Sequence, residues 1–306
     1  MHGSGFSVRS ASYLTDRAKA SSDGSLCAPA AVDVFASSGC EEDLAVRPGT
    51  SAFAHLHSRP DIELFILNIQ LPGPPNIGLV QVFAKPLVAK EAAARMVGAA
   101  GAAERLWHAF RDGDDALRSR KLKMIANPVK APLAIRLAMP VNKPVLIGAR
   151  VPLRFHRHER SLEVVLDVAF SAVAAPVWRM MKGVTKKIVL DLVLVLEGAS
   201  EDELPERVLA CLQWHKPALE RAAPCPPPLS DGETAAAAAA AQRAHRGRAA
   251  RRSSALRNSI VRLSERFFGS TSPPPARTPG PASAIATTPV AACLLYTSPS
   301  PRDGLL

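Results

Sequence analysis

Five polar or acidic side chains stand out inside runs that are largely apolar: Asn68 and Gln70 in 62–71, Glu163 and Asp167 in 161–170, and Asp191 in 188–196. A buried carboxylate is costly unless paired. Two readings fit the acids: a solvated face or ion pairs with an arginine such as Arg9 or Arg136, or a polar patch with Asn68 and Gln70 at the mouth of a lipid pocket. His156-Arg-His158 offers imidazoles for acid/base or metal chemistry. Beside Arg154, Arg157 and Arg160 the simpler reading is a turn or strand-end pair reaching solvent.

A third grouping lies near the C-terminus. In 251–268, Leu256, Ile260, Leu263 and Phe267 share one helical face, and Arg251, Arg252, Arg257, Arg262 and Arg266 occupy the start and the other faces. Such a basic amphipathic helix can lie among the headgroups of an anionic membrane, dock on the globular part, or be captured by calmodulin. Phosphorylation within Arg251-Arg-Ser-Ser254 would weaken an electrostatic attachment.

Enzymatic constellations are missing from the sequence: it has no GxSxG, P-loop or HExxH motif and no CxxC pair. The five cysteines are odd in number and widely spaced, which supports neither a disulfide framework nor a metal site and points to a reducing, cytoplasmic setting. The expectation is a non-enzyme without cofactor; a lipid-acting enzyme is the third class, for which no nucleophile or base is found. Nucleic-acid binding has little support, since aromatics are 5% of the chain and no basic-aromatic interleaving appears. There is no signal peptide or transmembrane run, so membrane contact would be peripheral.

The elements that must position these groups are mostly strands. Residues 6–14 and 29–35 read as extended. Residues 62–71 put Phe65, Leu67, Ile69 and Leu71 on one face, and Leu-Pro-Gly-Pro-Pro-Asn turns the chain into 79–84 to make a hairpin. Residues 90–111 read as the clearest helix, with Met96, Ala100, Ala103, Trp107 and Phe110 at helical spacing and Gly98 and Gly101 weakening it. A basic cluster follows at Arg118, Arg120, Lys121, Lys123 and Lys130, read as a solvated face. Strands are expected at 133–139, 145–155, 161–170 and 188–196, a short helix at 172–181, and a final helix beginning at Pro205 and carrying Val208, Leu209 and Leu212. Together these predict an α+β fold on a curved, mostly antiparallel sheet with a long helix and a C-terminal helix.

Composition places a boundary near residue 222. Residues 223–306 hold twelve of the 27 prolines, an alanine run from 235 to 241 and ten arginines against four acids, which predicts a disordered, low-complexity tail. The formal net charge is +11, and the tail supplies more than half of it. Residues 294–306 resemble a translated sequencing adapter.

Several blocks of the first 222 residues match one family pattern in order: Phe6-Ser-Val-Arg9 with Tyr13-Leu14, Val32-Asp-Val-Phe35, Leu67-Asn-Ile-Gln-Leu-Pro-Gly73, Arg118-Ser-Arg-Lys-Leu-Lys-Met-Ile125, Lys143-Pro-Val-Leu-Ile-Gly148, Leu162-Glu163 with Asp167, Asp191, and Glu203-Leu-Pro-Glu-Arg207. Through them the chain resembles the C-terminal domain of the plant Enhanced Disease Resistance 2 family. Where that pattern usually has an aromatic, a tyrosine and a glycine, this chain has Leu133, Ser161 and Ala210. Family members often carry the domain behind a phosphoinositide-binding pleckstrin-homology domain and a lipid-transfer START domain. The resemblance therefore implies a membrane-associated lipid-binding or regulatory domain, its partner an anionic lipid with phosphoinositide among the candidates, and an apolar cavity between sheet and long helix. The alternative is a protein-interaction scaffold without ligand. Because the pattern begins within ten residues of Met1, a single-domain member or an incomplete gene model is expected.

Overall fold

The computed structural model describes residues 3, 5–139, 143–172, 174–230 and 232–247. In chain order the elements are β1 (Ser7–Arg9), α1 (Tyr13–Asp16), β2 (Lys19–Ser21), β3 (Ala28–Ser37), α2 (Ser51–Ser58), β4 (Ile62–Leu71) and β5 (Asn76–Pro86). Then come α3 (Lys90–Arg95), α4 (Gly98–Asp112), α5 (Asp115–Lys121), β6 (Leu122–Lys130), α6 (Leu133–Ala138), β7 (Val145–Leu146), β8 (Leu153–His158) and β9 (Ser161–Asp167). The series closes with α7 (Ala174–Met181), β10 (Val189–Leu196), β11 (Val208–His215), β12 (Ala223–Pro224) and a helix, α8, over 232–247 that contains the alanine run.

Two sheets carry the architecture. Six strands run in the order β12-β3-β5-β4-β9-β8, and four in the order β11-β10-β6-β7. All neighbours are antiparallel except β4 with β9 and β12 with β3, so the α+β, mostly antiparallel reading holds. The β4–β5 hairpin pairs Phe65 with Phe83 and Leu67 with Gln81, and Asn76 accepts the Gly73 N–H across the turn at 3.0 Å.

The alternating faces explain where the core sits. Phe65 and Leu67 of β4, Leu162 and Val164 of β9, and Leu192 and Leu194 of β10 bury together against Trp107 and Phe110 of α4. Trp107 is fully buried, edge-on to Phe65 at 6.0 Å between ring centroids. Each such side chain contributes about 1.5–3 kcal/mol by leaving water. The opposite face of β4 and β5 buries Ile62, Leu64, Ile66, Val80 and Val82 under Leu44, Ala52 and Leu56. α2 begins where the Thr50 hydroxyl accepts the Phe53 N–H at 3.1 Å, and α5 where Asp114 accepts that of Leu117 at 2.6 Å, both as N-caps.

The structure corrects several elements. Residues 205–212 are not a helix: a 3-10 turn (Glu201–Glu203) and a cis Leu204–Pro205 bond lead into β11, where Val208, Leu209, Ala210 and Cys211 are all buried. Residues 133–139 are not a strand but α6, which buries Ile135 and exposes Leu133 and Leu137. Residues 145–155 break into β7, a 3-10 turn (Ile147–Ala149) and the start of β8, and β9 ends at Asp167 in a further turn. The helix expected over 90–111 is two, α3 and α4. At the break Gly101 lies so close to the Met96 carbonyl that a Cβ would come within 2.2 Å of its oxygen, so only glycine fits. In residues 6–14 only Ser7–Arg9 is strand.

Candidate functional site

The sequence-selected polar residues separate into two places. Asn68, Gln70 and Glu163 meet on the α2 side of the six-stranded sheet. The Asn68 amide donates to Glu163 at 2.8 Å and to the Glu41 carbonyl at 2.8 Å, and Gln70 donates to Asn68 at 2.6 Å and to the same carbonyl at 3.0 Å. The other Glu163 oxygen accepts the Leu44 N–H at 2.7 Å. Burial pushes the Glu163 carboxyl above its ordinary range, with the Asn68 and Leu44 bonds pulling the other way. Gly78 lies opposite Gln70, and a Cβ there would sit 3.3 Å from its amide nitrogen. Asp167 is nearby, opposite Gln70, and its ion pair is with Arg154 at 3.6 Å.

These groups do not open into a pocket, because residues 41–46 lie across them. Arg47 pairs with Glu41, His156 contacts Glu42 at 2.7 Å and His158 contacts Asp43 at 2.6 Å. The bond to Asp43 holds the His158 imidazole above its ordinary value, and the same bond holds Asp43 below its own. For Glu42, burial raises the carboxyl, but the His156 bond and Arg154 outweigh it and the net shift is downward. The histidine pair is thus half of a clasp between β8 and this loop.

Asp191 belongs to the four-stranded sheet, where it accepts from Gln213 at 2.8 Å and Asn127 at 3.2 Å. Neither Arg9 nor Arg136 pairs with any of the three acids: Arg9 serves Glu197 and Glu206, and Arg136 is exposed. Arg251, Arg252, Leu256, Arg257, Ile260, Arg262, Leu263, Arg266 and Phe267 lie outside the described residues. The space between sheet and long helix, where the resemblance implies an apolar cavity, is filled by Trp107 and its neighbours.

A half-open cavity of about 530 Å³ lies elsewhere, on the outer face of the four-stranded sheet beside the β1–β2 hairpin. β10 alternates there, sending Leu192 and Leu194 to the main core and Val193 and Val195 outward, where they pack on Val8 and Ile125. At one end Arg9 donates to the Gly198 carbonyl at 2.7 Å and to Glu197 at 3.1 Å. Lys123 reaches the buried Glu206 at 2.6 Å, and the Arg9 guanidinium lies 4.6 Å above the Tyr13 ring centre. Burial pulls the Lys123 ammonium below its ordinary value, opposed by Glu206. Two cations and two carboxylates therefore neutralise each other at this end. Lys19 and Arg150 also line the cavity, are exposed, and have no ion pair among the described residues, so its charge is positive.

The groove brings together chemistry for holding an anion against an apolar floor. No group of three or more His, Cys, Asp or Glu able to hold a metal occurs among the described residues. Sequence reasoning had treated the basic cluster at 118–130 as solvated. That holds for Arg120 and Lys130, which are exposed, but Arg118 is buried, donating to the carbonyls of Phe110 and Arg111, Lys123 is buried against Glu206, and Lys121 pairs with Glu203 at 2.7 Å. The signal that could have found the groove was present: Ser7–Arg9 and Tyr13, Lys123 and Ile125, Pro144–Leu146, and Glu206 each fall in a block that carries the family resemblance.

Comparisons with known proteins agree with that resemblance. The family model described as Protein ENHANCED DISEASE RESISTANCE 2, C-terminal, matches residues 1–216. A Protein ENHANCED DISEASE RESISTANCE 2-like of Arabidopsis thaliana is 27% identical over 211 residues, which are 69% of this chain and 27% of the relative. The chain thus spans about a quarter of that relative's length. No solved structure matches. Among the described residues no helix is long and apolar enough to cross a membrane. By the match over residues 1–216, the chain belongs to the ENHANCED DISEASE RESISTANCE 2 C-terminal domain family.

Proposed function

We propose that this chain is a non-enzymatic lipid-binding module that works at an anionic membrane surface, seating a charged headgroup in the groove beside the β1–β2 hairpin. The observation that carries the reading is the lining of that groove: Lys19 and Arg150, exposed and without an ion pair among the described residues, beside an Arg9–Lys123–Glu197–Glu206 cluster and an apolar floor of Val8, Ile125 and Val195. Multidonor guanidinium and ammonium groups suit phosphate oxygens. A filled interior argues that the acyl chains stay in the bilayer, so the module would read headgroups rather than extract lipid.

The test is co-sedimentation of the full chain with neutral vesicles and with phosphoinositide-containing vesicles, for the parent and for Lys19→Gln/Arg150→Gln. The reading expects binding that depends on the phosphoinositide, weakens in high salt and falls several-fold in the variant. Equal pelleting with neutral vesicles, or an unaffected variant, contradicts it. The scaffold reading rests on one specific observation, the filled core between the sheets, and takes the lead if no vesicle is bound.

A further inference from the structure

A second surface, built from different residues, combines exposed apolar side chains with positive charge. α6 is anchored by Ile135, buried to 2% exposure, while Leu133 and Leu137, four residues apart on the opposite face, are 68% and 78% exposed. α7 packs beside α6 and is anchored by Trp178, whose indole N–H donates to the Pro72 carbonyl at 2.9 Å. Around this pair Phe170 is 71% exposed and Met180 42% exposed. Large apolar side chains held out by a rigid anchor, and gathered in one region, mark a docking surface rather than scattered exposure.

Charge selects the occupant. Residues 129–139 contain Lys130 and Arg136, and residues 170–187 contain Arg179, Lys182, Lys186 and Lys187, with no Asp or Glu in either segment. All six cations are exposed, and among the described residues Lys186 alone has an ion pair, to Glu220 at 2.5 Å. Two basic segments without an acid of their own, which also hold out leucine and phenylalanine, complement an anionic bilayer, where cations meet headgroups and apolar tips enter the acyl boundary.

We propose that α6, α7 and the preceding Phe170 form the membrane-docking face of this domain, inserting Leu133, Leu137 and Phe170 into an anionic leaflet. The proposal rests on the lipid-linked reading above, but uses none of the groove residues. Insertion is shallow, because α6 has only six residues and its inner side is tied down by Ile135.

The experiment uses the full chain with Arg251, Arg252, Arg257, Arg262 and Arg266 changed to Gln, so that the C-terminal segment cannot supply the attachment. Its binding to phosphatidylserine vesicles is compared with that of the same chain carrying Leu133→Ser/Leu137→Ser/Phe170→Ser. The expected result is binding by the reference chain and a loss of at least about thirtyfold in the triple variant. All three changes are at exposed sites, and an unchanged thermal melt verifies the fold. As a second readout, Leu137→Trp gains fluorescence that lipids brominated on the acyl chain quench.

Equal binding of the triple variant and its reference, or no added quenching at Leu137→Trp, overturns the docking face. So does a reference chain that binds no vesicle. Titration of inositol trisphosphate into the same chains reads the groove separately. Heat of binding unchanged by the triple substitution leaves the headgroup reading standing when the docking face fails, whereas loss of that heat in Lys19→Gln/Arg150→Gln tests the groove alone.

Discussion

Lys85→Met is the substitution with the most directly calculable cost. Lys85 on β5 is 2% exposed and stands 2.6 Å from Glu63 on β4 and 2.9 Å from Glu104 on α4, while Arg111 holds the other Glu63 oxygen at 2.6 Å. The cluster thus has two anions and two cations in a nearly water-free place at the end of the main core. Methionine keeps most of the volume of the lysine stem but leaves two carboxylates facing one guanidinium. Removing one partner of a buried pair costs about 3–5 kcal/mol, and the Arg111 contact to Glu63 puts this case near the lower end, about 3 kcal/mol. For a domain of this size that corresponds to a fall of roughly 6–12 °C in melting temperature. Thermal and urea unfolding followed by circular dichroism would measure it. The double variant Lys85→Met/Glu104→Gln restores one anion to one cation and is expected to recover about half the loss, a non-additivity that contacting groups display. A single variant that melts within about 2 °C of the parent, or a double variant whose losses simply add, would refute the argument that charge balance, rather than packing, sets the cost.

Two further expectations concern the other side of the six-stranded sheet. Because the His158 imidazole is held above its ordinary value, its contribution is complete below the unfolded pKa, about 6.5, and is lost as pH rises through the folded one; Asp43, held low, contributes above about 3.9 and loses that as pH falls. The pair is therefore strongest between those limits, and His158→Gln should cost up to about 1 kcal/mol in urea unfolding at pH 5.5 and less at pH 8. An equal cost at both values would remove the clasp from the account. Gly78→Val should destabilise by about 1–3 kcal/mol, since its side chain must displace Gln70 from the Asn68–Glu41 network, and a neutral effect in the same assay would contradict that packing.

What the sequence could and could not tell follows from burial on one face or two. β4 and β9 were legible because their alternation separates Phe65, Leu67, Leu162 and Val164 from Ile66, Asn68 and Glu163, and the two sets face different layers. β11 was misread because Val208, Leu209, Ala210 and Cys211 are all buried, so the run has no period that distinguishes it from a helix. α6 failed in the opposite sense. Leu133, Ile135 and Leu137 alternate like a strand, yet only Ile135 is buried, and the leucines are on the surface for a reason that periodicity does not encode. The candidate site was half legible: Asn68, Gln70 and Glu163 do meet, in a network roofed by residues 41–46, whereas Asp191 belongs to the other sheet. The groove was missed because its charges come from Arg9, Lys123 and Glu206, far apart in sequence and joined only by the docking of β1 beside the four-stranded sheet.

The central claim is that the groove binds an anionic headgroup, and calorimetric titration of inositol trisphosphate into the full chain tests it without a bilayer. The account predicts saturable binding at low salt that weakens as salt rises and drops several-fold in Lys19→Gln/Arg150→Gln, whose thermal melt stays unchanged because both side chains are exposed. No detectable binding, or binding that ignores both substitutions, would contradict it.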